Sequence, residues 1–301
     1  MNRSVVVVLV VVAWAAPGCR KDTVRPEAPR PRVVSLSPAL TSILFEMGLG
    51  DHVVGVTGFC VLPPGERRMV VGSYINADVE AILSTEPDLV LVERILKDFD
   101  ALARVRPGVK VELFSVRTFE EITAAVDRLG LLTGREEAAR EARERFLAKL
   151  QAVERSVANL PRPRVLFSEG YERPLVAGTD NFIDEMIQRA GGINCGRAVR
   201  GQGPWRTTNV EGILAAAPDV LLCRSEMGRE EVARKYWLSV KDLPAAVHGR
   251  VFILTNSRWT IPSTHLADLT ARLAEMIHPE LGGQGDQPAT PKGPTNREAV
   301  N

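Results

Sequence analysis

Short apolar runs alternate with helical patterns over most of the chain. Residues 33–36, 53–56, 89–92 and 111–114 are largely apolar runs of strand length. Such runs, separated by longer amphipathic stretches, predict strands of a parallel sheet covered on both faces by helices. Ser37-Pro38 is a helix start, with Ser as cap and Pro in the first turn, and the helix runs to Met47 before Gly48 ends it. The second half repeats the plan. A strand is expected at 165–167, a helix over about 180–190 closed by Gly191-Gly192, strands at 220–222 and 251–254, and a final helix over about 263–277.

The repetition extends to identities. Asp78-Val-Glu-Ala-Ile-Leu-Ser-Thr-Glu-Pro-Asp-Leu-Val-Leu-Val92 aligns without gaps on Asn209-Val-Glu-Gly-Ile-Leu-Ala-Ala-Ala-Pro-Asp-Val-Leu-Leu-Cys223, with seven of 15 positions identical. Each copy reads as a short helix, stopped by Pro87 or Pro218, that feeds an apolar strand. Pro29-Arg-Pro-Arg-Val33 likewise matches Pro161-Arg-Pro-Arg-Val165. A period near 131 residues means two related lobes rather than a solenoid. The fold class predicted is α/β, two Rossmann-like lobes with mainly parallel sheets.

Residues 118–160 carry no strand signal and form the linker between lobes at 33–117 and 161–281. Ala139, Ala142, Phe146, Leu150, Val153 and Val157 make one apolar face at three- and four-residue spacing, with Arg and Glu on the other. One helix of about 24 residues, ~36 Å long, is long enough to join the lobes along their backs. Its charges read as a solvated face.

The ends behave differently. Met1-Asn-Arg3 is followed by an apolar stretch over 5–16 and by Ala16-Pro-Gly-Cys19, the pattern of a signal peptide and too short for a permanent span of ~20 residues. Small residues before a cysteine resemble a bacterial lipoprotein signal, cleaved so that Cys19 is lipidated; Ala16 and Pro17 depart from its usual form. The expected location is the periplasm or cell surface, with a membrane anchor at Cys19. Residues 20–32 are a Pro-rich charged tether, and 282–301, rich in Gly, Pro and polar residues, are expected to be disordered. Across the chain, 38 Lys and Arg face 37 Asp and Glu, a balance with no basic field for nucleic acid.

The body resembles the extracytoplasmic binding proteins that deliver vitamin B12 and ferric siderophores to ABC importers, a class whose lobes are joined by a rigid helical backbone. The resemblance covers roughly 33–281. It rests on Val33-Val-Ser-Leu-Ser-Pro-Ala-Leu-Thr-Ser-Ile-Leu-Phe-Glu-Met-Gly-Leu-Gly50, Val54-Gly-Val-Thr-Gly-Phe-Cys-Val-Leu-Pro-Pro64, Val71-Gly-Ser-Tyr-Ile-Asn76, the two Val-Glu-x-Ile-Leu segments, Ala190-Gly-Gly-Ile-Asn194 and His278-Pro-Glu-Leu281. It is closer to the cobalamin branch. It implies a monomer that binds cobalamin or another corrinoid between its lobes, with a ferric siderophore or haem as the alternative, and that has no cofactor of its own.

The resemblance also implies that Glu80 and Glu211 dock on arginines of an ABC permease dimer. One carboxylate per lobe suits a partner offering two equivalent basic sites. The competing reading is local: both glutamates fall in a first helical turn, and Thr208-x-x-Glu211 has the form of a capping box, whereas Ala77 at the matching position cannot cap.

For the ligand, the resemblance places Tyr74 and Trp205, equivalent in the repeat, on opposite sides of the cleft. Phe59 and Cys60 follow the strand ending at Val56, where α/β sheets bind. Tyr171, Arg258, Trp259 and His265 are further candidates, and Glu93 sits at the expected cleft edge. The family often has an Arg near the start of the last helix, where this chain has Thr264 and His265. For each aromatic the alternative is packing beneath a loop.

A zinc or manganese receptor would need converging His, but His52, His248, His265 and His278 are dispersed. An enzyme is disfavoured too, since there is no Gly-x-Ser-x-Gly elbow, phosphate-binding Gly loop or HExxH. Cys60, Cys195 and Cys223 read as small buried hydrophobes with no disulfide expected.

Overall fold

The computed structural model describes residues 30–73, 76–93 and 106–281. The signal peptide with Cys19, most of the tether, Tyr74 and the tail at 282–301 lie outside the described residues. The chain divides into Met1–Arg30 and Pro31–Asn301, and every element below belongs to the second unit.

The first lobe comprises β1 (Val33–Ser35), α1 (Pro38–Glu46), β2 (Val53–Val56), β3 (Met69–Val70), α2 (Val79–Ser84), β4 (Leu89–Val92) and β5 (Lys110–Leu113). Its sheet has the order β3-β2-β1-β4-β5, parallel throughout. Next come α3 (Phe119–Thr133) and α4 (Glu136–Val157). The second lobe contains β6 (Arg164–Glu169), β7 (Leu175–Ala177), α5 (Phe182–Arg189), β8 (Ile193–Asn194), β9 (Trp205–Thr207), α6 (Val210–Ala216), β10 (Val220–Arg224), α7 (Glu230–Leu238), α8 (Pro244–Val247), β11 (Val251–Leu254) and α9 (Leu266–Ile277). Its sheet runs β11-β10-β6-β7-β9, with β8 also on β6; β7 and β9 are antiparallel and the rest parallel.

The duplication is visible in individual bonds. Arg32 N donates to Asp88 at 2.8 Å, while its guanidinium donates to Thr85 O at 2.7 Å and Glu86 O at 3.1 Å. In the second lobe Arg164 N donates to Asp219 at 2.8 Å, and its guanidinium to Ala216 O at 2.6 Å and Ala217 O at 3.1 Å. Both helix ends turn through a left-handed residue, Glu86 at φ 48° and Ala217 at φ 41°. An Arg at the start of the first strand of each lobe thus caps the carbonyls at the end of a neighbouring helix.

The linker differs from the sequence expectation. The linker is a helical hairpin: α3 precedes α4, and Gly134 between them takes φ 65° at the C-cap of α3. The heptad-like apolar face of α4 is conspicuous, whereas in α3 Ala, Gly and Thr dilute the signal. The bridging helix α4 is 22 residues long, about 33 Å. Trp205 opens the edge strand β9, which the apolar pattern of the sequence does not announce.

Alternation within the strands sorts the core. Val33 and Leu91 point into one continuous apolar cluster that also takes Leu40 and Ile43 from α1, Phe146 and Leu150 from α4, and Ile187 and Leu273 from the second lobe. Val34 and Val90 point to the other face with Ile82, and in the second lobe Leu166 and Leu221 pack with Trp237. The main core therefore runs through both lobes by way of α4.

Candidate functional site

The equivalent glutamates sit on equivalent caps. Asp78 caps α2 by accepting Ala81 N at 3.0 Å, and Asn209 caps α6 by accepting Gly212 N at 3.0 Å. Glu80 and Glu211 are therefore the second helical residue of their first turns, one short of the position that closes a capping box, and Thr208 is not the cap. Both are exposed. Among the described residues neither has a hydrogen bond or ion pair, so each carboxylate stands toward solvent. Glu211 also borders a depression of about 730 Å³ lined by Val199, Arg200, Thr208 and Asn209. Burial, and then the charges of Glu211 and Glu172, raise the Tyr236 hydroxyl above its ordinary pKa.

A cavity of about 360 Å³ is walled by Pro38, Ala39, Phe59 and Glu93 from the first lobe and Thr260, Ile261 and Pro262 from the second. It lies at the carboxyl ends of β2 and β4, where an α/β sheet offers loops and a helix start. Phe59 is 64% exposed, a large cost for an apolar ring unless something covers it. Cys60 is turned inward, its thiol 3.1 Å from Thr41 Oγ1 and 3.3 Å from Thr57 Oγ1. Glu93 accepts a hydrogen bond from the hydroxyl of Ser37, the residue that caps α1.

The second lobe has a counterpart to that contact. In the repeat Glu93 corresponds to Arg224, and Ser37 to Glu169. Arg224 Nη1 donates to Glu169 at 2.5 Å across the paired ends of β10 and β6. Burial raises the Glu169 carboxyl, Arg224 opposes this by charge and hydrogen bond, and Glu226 adds to the rise.

Other candidates are placed away from the cavity wall or are already engaged. Trp205 is half-buried and meets Phe167 edge to face at 6.1 Å. Tyr171 is buried, its hydroxyl accepting from Arg229 at 2.8 Å. Trp259 is buried in the main core. Arg258 pairs with Glu46 at 3.1 Å. His265 is buried, with Nδ1 3.0 Å from Glu46 and Nε2 donating to Arg258 O at 2.8 Å. Tyr74 lies outside the described residues. Sequence reasoning passed over Glu46, because nothing in Phe-Glu-Met-Gly marks a residue whose partners are more than 200 positions away; it gathers Ser263, Thr264, His265 and Arg258 around one carboxylate.

Among the described residues no group of three His, Cys, Asp or Glu could hold a metal ion. Cys60, Cys195 and Cys223 are free thiols. Burial pushes the Cys195 thiol up to about 12 and the Cys223 thiol up to about 11, far from the range of a reactive thiolate.

Known proteins share this architecture. A cobalamin-binding protein of Halobacterium salinarum is 28% identical over 261 residues, 82% of this chain and 69% of its own length. The vitamin B12 binding protein BtuF of Vibrio cholerae superposes with a TM-score of 0.71 at 20% identity, over 85% of this chain and 99% of that one. The heme-binding protein RhuT of Roseiflexus sp. RS-1, in apo form, gives a TM-score of 0.72 at 24% identity, over 83% and 99%. The model of one family spans residues 33–257, from β1 to the loop after β11, and the chain belongs to that family, the periplasmic binding proteins.

Proposed function

We propose that this protein is the extracytoplasmic solute-binding component of an ABC importer, that it carries cobalamin or a related corrinoid between its lobes, and that it delivers the ligand by docking Glu80 and Glu211 on a permease dimer. The observation that carries the reading is the pair of exposed, unpartnered carboxylates at identical places in the two copies of the repeat. A fold in which Arg32 and Arg164 make the same bonds holds α2 and α6 in the same relation to their sheets, so the two acids form a matched pair. The cavity bordered by Phe59 and Glu93 on one side and by Ile261 and Pro262 on the other supplies an apolar surface for a flat macrocycle. The name of the Halobacterium relative supports the corrinoid over other ligands. Lipidation at Cys19 would keep the carrier at the membrane near its permease, and monomers suffice because each chain already provides both acids.

The test has two arms. Purified protein is titrated with cyanocobalamin, cobinamide, hemin and ferric siderophores, followed by tryptophan fluorescence; corrinoid binding is expected, and tight siderophore or hemin binding with no corrinoid binding would displace the ligand assignment. In cells, the double variant Glu80→Lys/Glu211→Lys is expected to abolish uptake with ligand affinity unchanged, and normal uptake would remove the docking assignment.

A further inference from the structure

One carboxylate joins the elements that form the two walls of the interlobe cavity. Pro38 and Ala39, in the first turn of α1, belong to the first-lobe wall, and Thr260, Ile261 and Pro262 form the second-lobe wall. Glu46 ends α1 and bonds to the second lobe on either side of that wall segment in the chain. Before the segment, the Arg258 guanidinium donates to it at 3.1 Å; after the segment, the hydroxyls of Ser263 and Thr264 donate at 2.8 and 2.6 Å and the His265 N–H at 3.2 Å. Ser263 is fully buried and His265 is 7% exposed, so the bonds after the segment are shielded from water, where a charge-assisted bond is strongest. Ile261 and Pro262 lie in the connection between the turn at 257–260 and α9, with no strand ladder to hold them. Glu46 pins that connection at both ends.

From this we infer that Glu46 is the positioning residue of the ligand cavity: it is not part of the wall, but through Arg258, Ser263 and Thr264 it fixes the gap between α1 and residues 260–262 before a ligand arrives. This rests on the reading proposed above, that the ligand lies between the lobes, and adds what keeps the space at one width. α1 is one continuous helix of nine residues, so a tie at its last residue also places its first turn against the far wall. A flat macrocycle gains from two apolar surfaces already set at the right spacing, because no loop has to be ordered when it binds. Without the tie, the connection carrying Ile261 and Pro262 is free to shift, and part of the binding free energy goes to ordering it.

The test compares the full chain with Glu46→Ala, Thr264→Val and the double variant, titrated with cyanocobalamin, cobinamide and hemin and followed by tryptophan fluorescence. Arg32→Ala serves as a variant destabilised elsewhere, where its guanidinium holds the end of α2. Glu46→Ala is expected to weaken the probe that the wild type binds by about tenfold, as for the loss of one charge-assisted bond, and Thr264→Val by less. Because Glu46 acts through the second-lobe contacts, the double variant should bind no more weakly than Glu46→Ala alone. Arg32→Ala should bind as the wild type does. In ligand-free protein, a maleimide should label Cys60, next to Phe59 of the wall, faster in Glu46→Ala than in the wild type or Arg32→Ala. If Glu46→Ala does not fold, Glu46→Gln, which keeps the size and loses the charge, decides with the same readouts. Wild-type affinity and labelling in the Glu46 variant, an equal loss in Arg32→Ala, or additive losses in the double variant would overturn the inference. Faster Cys60 labelling that depends on Glu46, with no binding of either corrinoid, would uphold it and defeat the corrinoid assignment instead.

Discussion

Glu46, the last residue of α1, accepts the Thr264 hydroxyl at 2.6 Å just ahead of α9 in the other lobe. The same carboxylate takes the Ser263 hydroxyl at 2.8 Å and the His265 backbone N–H at 3.2 Å. At the end of its own helix a carboxylate opposes the dipole, whereas at the start of another it is favourable. α9 has no side-chain cap of its own, and Glu46 supplies that role from across the lobe boundary. The contact follows directly on Ile261 and Pro262 of the cavity wall in the chain.

Replacing Glu46 should therefore cost stability in a pH-dependent way. Burial raises its pKa, but hydrogen bonding and attraction from His265 and the hydroxyls of Thr264 and Ser263 outweigh it, leaving the carboxyl below the ordinary 4.5. A depressed folded-state pKa contributes stability that is complete above the unfolded value and is lost as pH falls through the folded one. Glu46→Gln is expected to lower stability by about 1–3 kcal/mol at pH 7. Urea midpoints measured between neutral pH and pH 3 should converge for the two proteins; a constant gap across that range would rule out the carboxylate as the cause.

The paired arginines allow a comparison within one molecule. Arg32→Ala and Arg164→Ala each uncover two helix-end carbonyls that the guanidinium serves, and each should cost about 1–3 kcal/mol. Lysine, with no fork, should not restore either. Since the two sites are in different lobes, the double variant should show additive losses in denaturant titrations; a strongly non-additive result would mean that the copies are mechanically coupled.

The sequence made the repeat legible because its signals are local: the Val-Glu-x-Ile-Leu helix, the stopping Pro and the apolar strand lie within 15 residues. α4 could be bounded for the same reason, by the regular spacing from Ala139 to Val157. Strand β7 and the edge strand β9 escaped because their ladder joins Leu175 to Thr207 across a span with no alternation to read. Within the site, Phe59 and Glu93 were placed by the rule that sheets bind at strand ends. Trp259 and His265 are candidates through the family's pattern near the start of the last helix; in the fold Trp259 packs in the main core and His265 lies against Glu46. No local pattern announces which way a ring turns.

The left-handed Ala217 gives a stabilising prediction. At φ 41° its Cβ is strained, a cost of roughly 1–2 kcal/mol that glycine avoids, less the entropy that glycine loses on folding. Ala217→Gly should therefore raise the melting temperature slightly. A fall would show that the Cβ makes a packing contact worth more than the strain.

Thiol chemistry should separate the three cysteines of the folded body. Cys195 and Cys223 are buried, with pKa values pushed up to about 12 and 11, while Cys60 is only partly buried beside the cavity. In native protein at pH 8, a maleimide should modify Cys60 well before the other two, which should react only on unfolding. Peptide mapping after brief labelling reads this out, and ligand bound in the cleft should slow it. Early labelling of Cys195 would contradict the packing of β6 against the turn that carries it.

The continuous core makes a last demand on α4. Phe146 is 1% exposed and meets Phe119 of α3 edge to face at 5.2 Å, in the cluster that also holds Leu40 of the first lobe and Ile187 of the second. Phe146→Ala should cost about 3–5 kcal/mol. Because that cluster belongs to both lobes, the loss should move one cooperative transition rather than split it. Calorimetry should give equal calorimetric and van't Hoff enthalpies for wild type and variant alike. Two resolved transitions in the wild type would mean that the lobes fold independently and that α4 acts as a tether between them rather than as part of their shared core.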